Sequence, residues 1–334
     1  MHAVAAVVLH GADASAAGVT VLRTALGEDK PTLARSLRAA GYRTAVFGKM
    51  HFNRPSYEGM HGFDSLMVDG DVTRAWGEKV TPRPAPADIR TKPRWQPFRD
   101  PARIWLNAEK LPYPRYDDGM VGTFLARQGE RFIEQDTLVV YMADHGYSLG
   151  QHGRFEKHCC YDPALRVPLI VRFPGRVRRG VVRDFTESVD VAPTILDLLG
   201  SPPLAVQHGR SLRPYLEGRR PAQARDHIFS QYLENEEACV RTARYKFIFC
   251  SGKRKRTDGY TTDNPVPGRY VRLYDLKRDP GEFTDVAQRE PQVVARMQES
   301  MLERFRSTHP EAERLPSGLG VEESIEWFLR PRDA

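Results

Sequence analysis

Three short segments of the sequence carry side chains that could bind an anion or a divalent cation. In the first of them, Asp144 and His145 stand directly after an apolar run at 138–143 and are followed by Gly146. A carboxylate beside an imidazole can ligate a divalent cation, and the same pair can act in general acid–base chemistry. An Asp-His pair also fits an ordinary turn, so this segment alone does not identify a site.

The other two segments are cationic. Lys49 and His51 follow an apolar stretch at 42–47, and Lys157, followed by His158, lies thirteen residues after Asp144. Each of these pairs alone is typical of an exposed surface. Taken together with Asp144, they predict a metal-assisted site for the ester of an oxyanion, where positive charge stabilises the charge that develops during cleavage.

The segments around these residues alternate in the manner of an α/β protein. Residues 29–41 predict a helix, with a proline in its first turn and a glycine at its end, and residues 42–47 predict a strand. Residues 189–199 predict another helix, which again has a proline in the first turn and a glycine after the last residue. Helix followed by a short turn and an apolar strand is the order expected in a layered α/β fold.

Two apolar runs indicate where Asp144 and His145 lie in the predicted sheet. The run at 138–143 predicts a strand covered on both faces, because it is apolar almost without interruption, and 167–173 predicts a second such strand. In open α/β sheets, ligands bind beyond the carboxyl ends of the strands. The side chains of Asp144 and His145 are therefore expected in the binding crevice.

The remaining segments are more weakly patterned. Residues 80–118 contain eight prolines and predict a long surface loop, for which an anion-binding role is the alternative. Residues 120–135 predict an amphipathic helix. After residue 230 the pattern predicts a small sheet and a helix; its parts are strands at 245–250 and 270–276, a turn at 279–282 and a helix over 293–305. The basic run at 253–256 predicts a solvated hairpin tip.

Composition excludes several classes of protein. The chain has 334 residues, of which 40% are hydrophobic and 28% charged, so it can bury a core. No apolar run reaches the length of a membrane span. A formal net charge of +7 is mild for this length and does not indicate nucleic acid as a partner. The four cysteines form no C-x-x-C pair, and the first residues are a poor match to a secretory signal, which predicts a cytoplasmic protein.

Several motifs, in the same order along the chain, resemble those of the type I sulfatases, the formylglycine-dependent sulfatases of the alkaline phosphatase superfamily. The resemblance covers about residues 18–305, with gaps. The motifs are PTLA at 31–34, GYRTA at 41–45, GKMH at 48–51, ADHGYSLGQHG at 143–153, Lys157, RVPLI at 166–170, DVAPT at 190–194, GRSL at 209–212, LYDL at 273–276 and DPGE at 279–282.

The resemblance implies an α/β fold in which an alkaline-phosphatase-like mixed sheet is flanked by helices and followed by a small C-terminal α+β subdomain. The implied organisation is an unassigned segment at 1–17, a sulfatase-type domain at 18–230 and the C-terminal subdomain at 231–334. The implied substrate is a small-molecule or carbohydrate sulfate ester. Neither a membrane nor a nucleic acid is implied as a partner, and the oligomeric state is left open.

The resemblance also assigns roles to the candidate residues. Asp144 and His145 would ligate the divalent cation, which is usually Ca²⁺ in this family, with Mn²⁺ or Mg²⁺ as alternatives. Lys49 and Lys157 would bind the sulfate oxygens as catalytic groups. His51 would hydrogen-bond the nucleophile or the sulfate. His158, next to Lys157, is a further candidate for substrate binding.

Two parts of the family pattern are absent from the 334 residues. The family's nucleophile is a formylglycine made from the Cys or Ser of a C/S-x-P-x-R motif. No such motif occurs, so no formylglycine precursor is identified, and the sole Asp-Asp pair, Asp117-Asp118, follows the proline-rich segment rather than a strand. The pattern predicts a sulfatase that lacks its N-terminal catalytic strand and a central segment near Gln135.

Four functions are compatible with these observations. The first is a sulfuric ester hydrolase, and the second is a non-catalytic sulfatase-like remnant that binds anions. The third is a phosphate or phosphonate monoester hydrolase, because the same arrangement of charges suits both oxyanions. The fourth is a basic nucleic-acid-binding protein, which depends only on net charge and the run at 253–256 and is the least supported.

Overall fold

The computed structural model describes part of the chain in detail. The described residues are 8, 11–19, 24, 26–48, 60–68, 74, 78, 136–153, 157–252 and 269–332. The proline-rich segment at 80–118, the predicted helix at 120–135 and the basic run at 253–256 lie outside them. Among the helices of the described residues, none combines the length and the apolar composition that crossing a membrane requires.

The N-terminal elements are a short helix, a second helix and two parallel strands. These are α1 (Ala14–Ala17), α2 (Leu33–Ala39), β1 (Ala45–Gly48) and β2 (Ser65–Val68). The predicted helix at 29–41 is shorter than expected, because Thr32 is extended and its hydroxyl caps α2 by accepting a hydrogen bond from the Arg35 amide. Pro31 therefore precedes the helix instead of lying in its first turn.

The strand that leads to Asp144 pairs with the next strand along the chain. Here β3 (Val139–Met142) and β4 (Leu169–Arg172) are antiparallel, and α3 (Asp162–Leu165) lies between them in sequence. The prediction that both strands are covered on both faces is wrong: Tyr141 and Ile170, which are partners in the register, are 62% and 59% exposed. A short apolar run does not distinguish a strand buried on both faces from one buried on a single face.

A helical region follows β4. It contains α4 (Val191–Leu199), which confirms the predicted helix, and α5 (Arg213–Leu216). The helix α4 ends at Gly200, whose φ of 68° is in the left-handed region that terminates many helices. At its start, the buried Asp190 side chain accepts hydrogen bonds from both terminal nitrogens of Arg225, which joins α4 to the sheet that follows.

The C-terminal part is a four-stranded antiparallel sheet that packs against two helices. Its elements are β5 (His227–Tyr232), β6 (Glu237–Thr242), β7 (Tyr245–Cys250), β8 (Tyr270–Asp275), α6 (Pro291–Thr308) and α7 (Val321–Leu329), with the strands in the order β5-β6-β7-β8. The predicted strands at 245–250 and 270–276 and the predicted helix are confirmed. The strands β5 and β6 were not predicted, because both are rich in polar residues although β6 begins with four buried ones.

The N-terminal segment is tied to this C-terminal part. Ala14 of α1 lies in the same hydrophobic core as Phe229 of β5, and Asp13 receives two hydrogen bonds from Arg304 of α6. Burial alone would raise the pKa of Asp13, but the hydrogen bond to His208 and the charge of Arg304 lower it to about 2. The boundaries predicted after residues 17 and 230 stay a prediction, although β5 runs across residue 231.

The C-terminal end of α6 carries a buried imidazole. His309 is 6% exposed and its ring contacts the rings of Trp327 and Phe328 on α7. Its Nδ1 atom accepts a hydrogen bond from the Glu311 amide. Burial lowers the pKa of His309 to about 4, and the nearby Arg332 contributes to this shift. The folded protein therefore holds this imidazole neutral where an unfolded chain would protonate it.

We expect the free energy of unfolding to fall as the pH is lowered from about 6.5 towards 4, because only the unfolded state takes up this proton. His309→Asn, whose side-chain oxygen can still accept the Glu311 amide, should lose less stability over this range. The difference should be on the order of 2–3 kcal/mol. Urea denaturation of both proteins at several pH values measures it, and parallel stability profiles would contradict the assignment.

Candidate active site

Asp144 and His145 lie just beyond the carboxyl end of β3. The Nε2 atom of His145 is 3.4 Å from Oδ2 of Asp144, and its Nδ1 atom is 2.7 Å from the carbonyl oxygen of Gly146. Because a carbonyl oxygen can only accept a hydrogen bond, Nδ1 carries the proton. The lone pair of Nε2 is then left on the side of the Asp144 carboxylate.

The charge state of His145 is set by its surroundings. Burial lowers its pKa, and the positive charge of Lys157 lowers it further, against the opposing effects of the Gly146 carbonyl and the Asp144 carboxylate. The imidazole is therefore neutral near pH 7. Lys157 therefore acts on His145 through its charge.

The Asp144–His145 pair fits a divalent cation. A neutral imidazole with one free nitrogen, whose other nitrogen donates to a backbone carbonyl, is the usual form of a histidine ligand, and the carboxylate supplies an oxygen beside it. Within the described parts of the chain, no cluster of three or more His, Cys, Asp or Glu side chains is placed to hold a metal ion. The Asp144–His145 pair therefore supplies only some of the ligand atoms that a bound cation would need.

The Asp144–His145 loop is fixed to the short helix α3. The amide of Gly146 donates a hydrogen bond of 2.8 Å to the carbonyl oxygen of Ala164. The approach is so close that a β-carbon on residue 146 would lie 2.0 Å from the carbonyl oxygen of Pro163. Only glycine fits at this position, which explains the third residue of the Asp-His-Gly motif.

The second site segment, at 157–162, runs from Lys157 into α3 along the C-terminal sheet. His158 is buried, its ring stacks against Tyr232 of β5, and its carbonyl oxygen accepts a hydrogen bond from Asn235. The side chain of His158 therefore faces the C-terminal sheet. Its proposed contact with substrate stays a prediction.

A buried ionic cluster lies beneath this segment. The ammonium of Lys246 is 2.9 Å from the carboxylate of Asp162 and 2.6 Å from that of Glu282. Burial alone would lower the pKa of Lys246, but the negative groups around it raise it above its usual value, so the lysine stays charged. Burial raises the pKa of Glu282, and the charge of Lys246 opposes that rise without cancelling it.

Sequence reasoning missed this cluster. Glu282 belongs to a predicted turn and to the DPGE motif, neither of which indicates burial, and a lysine in a strand, such as Lys246, is usually exposed. The available signal was the charge itself, because β7 is otherwise apolar or aromatic over YKFIFC. A charged residue inside an apolar strand indicates a buried partner, although not which one.

An aromatic stack borders the same loops. The ring of His152 lies 3.8 Å from that of Tyr161, nearly parallel to it, and 5.2 Å from that of Phe283. Tyr161 is buried, and its hydroxyl accepts a hydrogen bond from Arg272. The stack therefore joins the loop that follows Asp144 to the loop that follows Lys157.

Two predicted site residues, Lys49 and His51, lie outside the described residues. Their position relative to the Asp144–His145 pair stays a prediction, as do the roles expected of them. The structure thus brings Asp144 and His145 together and turns the ring of His158 to the C-terminal sheet, and the place of Lys157 and His158 in the site stays a prediction.

Comparison with known proteins gives consistent results. Residues 150–308 match the family model described as N-sulphoglucosamine sulphohydrolase, C-terminal. An N-acetylglucosamine-6-O-sulfatase of Bacteroides thetaiotaomicron is 30% identical over 178 residues, which are 50% of this chain and 29% of that protein. Matches to several other curated sulfatases also cover about a third of their length.

Solved structures share the fold. A phosphonate monoester hydrolase from Silicibacter pomeroyi superimposes with a TM-score of 0.66 and 21% identity, over 94% of this chain and 87% of that one. A protein solved in complex with its substrate D-glucosamine-2-N,6-O-disulfate has a TM-score of 0.61 and 19% identity, over 93% and 89% of the two chains. These similarities confirm the alkaline-phosphatase-like α/β fold.

The contact at Gly146 is open to a direct test. Gly146→Ala should displace the Asp144–His145 loop, because the new methyl group collides with the Pro163 carbonyl. We expect a loss of about 1–3 kcal/mol in the free energy of unfolding. Gly180→Ala is a matched control, since a β-carbon there would have no neighbour within 4 Å. Equal stability of the two variants in urea denaturation would contradict this description of the loop.

Proposed function

Because the chain is related to the sulfatases of the alkaline phosphatase superfamily, we propose that Asp144, His145 and Lys157 form part of a sulfuric ester hydrolase site. The observation that carries the proposal is the Asp144–His145 pair beyond β3, in which Nε2 of His145 is 3.4 Å from Oδ2 of Asp144 and Nδ1 is 2.7 Å from the Gly146 carbonyl oxygen. The pair offers ligand atoms for a cation, and Lys157 is the positive charge proposed to bind the anion.

Each residue has a separate part in the proposed site. Oδ2 of Asp144 and Nε2 of His145 would hold the divalent cation, and the Gly146 carbonyl keeps the proton on the other ring nitrogen. The cation supplies positive charge that polarises a sulfate oxygen. The ammonium of Lys157 would bind the sulfate oxygens and stabilise the charge that grows on them as the ester bond breaks.

Ca²⁺ is the cation proposed from the family resemblance, with Mn²⁺ and Mg²⁺ as alternatives. Carboxylate oxygen, which Asp144 supplies, suits Ca²⁺, Mg²⁺ and Mn²⁺ alike. All three cations therefore belong in any titration of the site. The proposed substrate is a sulfate ester of a small molecule or a sugar, as the names of the sulfatase relatives indicate for those proteins.

Two alternatives differ from this function in measurable ways. A phosphate or phosphonate monoester hydrolase is favoured by the fold shared with a phosphonate monoester hydrolase. A binding site without catalysis is favoured by the absence of a C/S-x-P-x-R motif from the 334 residues. The first predicts preference for a phosphorus oxyanion, and the second predicts sulfate binding without turnover.

Lys157→Ala should weaken the binding of inorganic sulfate about tenfold or more, because a hydrogen bond to a charged group is lost. Isothermal titration calorimetry in Ca²⁺ or Mn²⁺, with sulfate and with phosphate, measures this change. Lys277→Ala is the control, since Lys277 is an exposed lysine that the proposal does not use. Removal of the cation with a chelator should weaken binding by the wild-type protein as well.

Turnover of 4-nitrophenyl sulfate by the same proteins separates hydrolysis from binding. Turnover that Lys157→Ala abolishes supports the hydrolase, and sulfate binding without turnover supports the binding-only alternative. Preference for phosphate, with turnover of a phosphonate monoester, supports the second hydrolase. If sulfate and phosphate both fail to bind, or bind Lys157→Ala as well as wild type, the proposed site is wrong.

A further inference from the structure

The backbone that follows Lys157 is held by two glutamates from the C-terminal part of the chain. The amide of Cys160 donates to Oε1 of Glu237 at 2.7 Å, and the amide of Asp162 donates to Oε2 of Glu282 at 2.8 Å. Both carboxylates are only 1% exposed. A buried carboxylate that accepts backbone amides makes hydrogen bonds about twice as strong as those between neutral groups.

The second oxygen of each glutamate is held by another donor. The hydroxyl of Tyr270 donates to Oε2 of Glu237 at 2.9 Å, and the ammonium of Lys246 lies 2.6 Å from Oε1 of Glu282. Two partners on each carboxylate fix its orientation, and Lys246 provides the positive charge that makes the burial of Glu282 tolerable. We call Glu237, Glu282 and Lys246 the amide clamp.

We propose that the amide clamp positions Lys157 against the Asp144–His145 pair, so that Glu237 and Glu282 are positioning residues for the anion site. The proposal rests on the function proposed above for that site. Lys157 lies only three residues before Cys160, so its Cα can be no more than about 11 Å from the clamped amide. Holding Cys160 and Asp162 therefore limits where the Lys157 ammonium can reach.

The amide clamp and the Asp144–His145 loop both make hydrogen bonds to the helix α3. Asp162, whose amide and carboxylate are both held by the clamp, is the first residue of α3. The carbonyl of Ala164 in the same helix binds the Gly146 amide. Both halves of the anion site are thus fixed to one four-residue helix, and the C-terminal sheet fixes that helix through Lys246 and Glu282.

Glu282→Gln tests the clamp without changing the size of the side chain. The two groups that face the carboxylate, the Asp162 amide and the Lys246 ammonium, are both donors, so either orientation of the glutamine amide sets one donor against another. In Glu237→Gln the effect should be smaller, because the Tyr270 hydroxyl can rotate and accept. Glu299→Gln is the matched control, since Glu299 is on the exposed surface of α6.

The first measurement is hydrogen–deuterium exchange of the full chain without ligand, resolved to single amides. In Glu282→Gln we expect exchange at Asp162 to rise about tenfold or more, with a smaller rise at Cys160 and His158. Exchange within α6 should stay as in Glu299→Gln. Unchanged exchange at these amides overturns the proposal. An equal rise throughout α6 overturns it as well, because such a rise would show a general loss of stability.

Tyr270→Phe provides a second variant in case Glu282→Gln does not fold. It removes one donor to Glu237 and leaves every charge in place. Exchange at Cys160 should rise while exchange at Asp162 stays unchanged. If Cys160 exchanges no faster in Tyr270→Phe than in wild type, Glu237 does not act as proposed.

The second measurement asks whether the clamp acts through Lys157. Glu282→Gln should weaken sulfate binding about fivefold to tenfold in the wild-type chain and cause no further loss in the Lys157→Ala background. Equal losses in both backgrounds would show a merely structural effect and overturn the positioning role. If the wild-type chain does not bind sulfate, the proposed function fails, whereas hydrogen exchange still decides whether the clamp holds these amides.

Discussion

The buried charge of Lys246 is the constraint on which the arrangement of the candidate site depends. An ammonium with no exposed surface is tolerated only where carboxylates surround it, and here Asp162 and Glu282 do so from two different parts of the chain. Glu282 is in a turn after β8, and Asp162 begins α3. A requirement of charge compensation in the C-terminal sheet thus determines where the loop that carries Lys157 must run.

The relation to the sulfatases gives this arrangement its chemical meaning. The Asp144–His145 pair and Lys157 are on two loops that share no strand, and neither loop alone differs from an ordinary turn. Their value as a site depends on their relative position. The first loop is tied to α3 by the hydrogen bond between Gly146 and Ala164, and the chain runs from Lys157 into the same helix. Burial and the positive charge of Lys157 lower the pKa of His145 and keep its imidazole neutral. The neutral imidazole is the form that can be a metal ligand.

Much of the fold could be predicted from local patterns. The helices α4 and α6 and the strands β3, β4, β7 and β8 follow from apolar periodicity and from the residues that end them. The strands β5 and β6 could not be found in this way, because the groups that satisfy their polar residues come from distant parts of the sequence. Glu237 at the start of β6 is an example, since its partners are the Cys160 amide and Tyr270.

The sequence by itself determined the kinship with sulfatases and the identity of the residues in the motifs, since both are properties of residue type and order. It also placed Asp144 and His145 at the end of a strand. Only the tertiary structure decided that the ring of His158 faces Tyr232, that Tyr141 is exposed, and that Lys246 is buried beneath the site. Burial and charge pairing depend on residues that are distant in sequence, such as Lys246 and Asp162, which are 84 positions apart and which no local pattern relates.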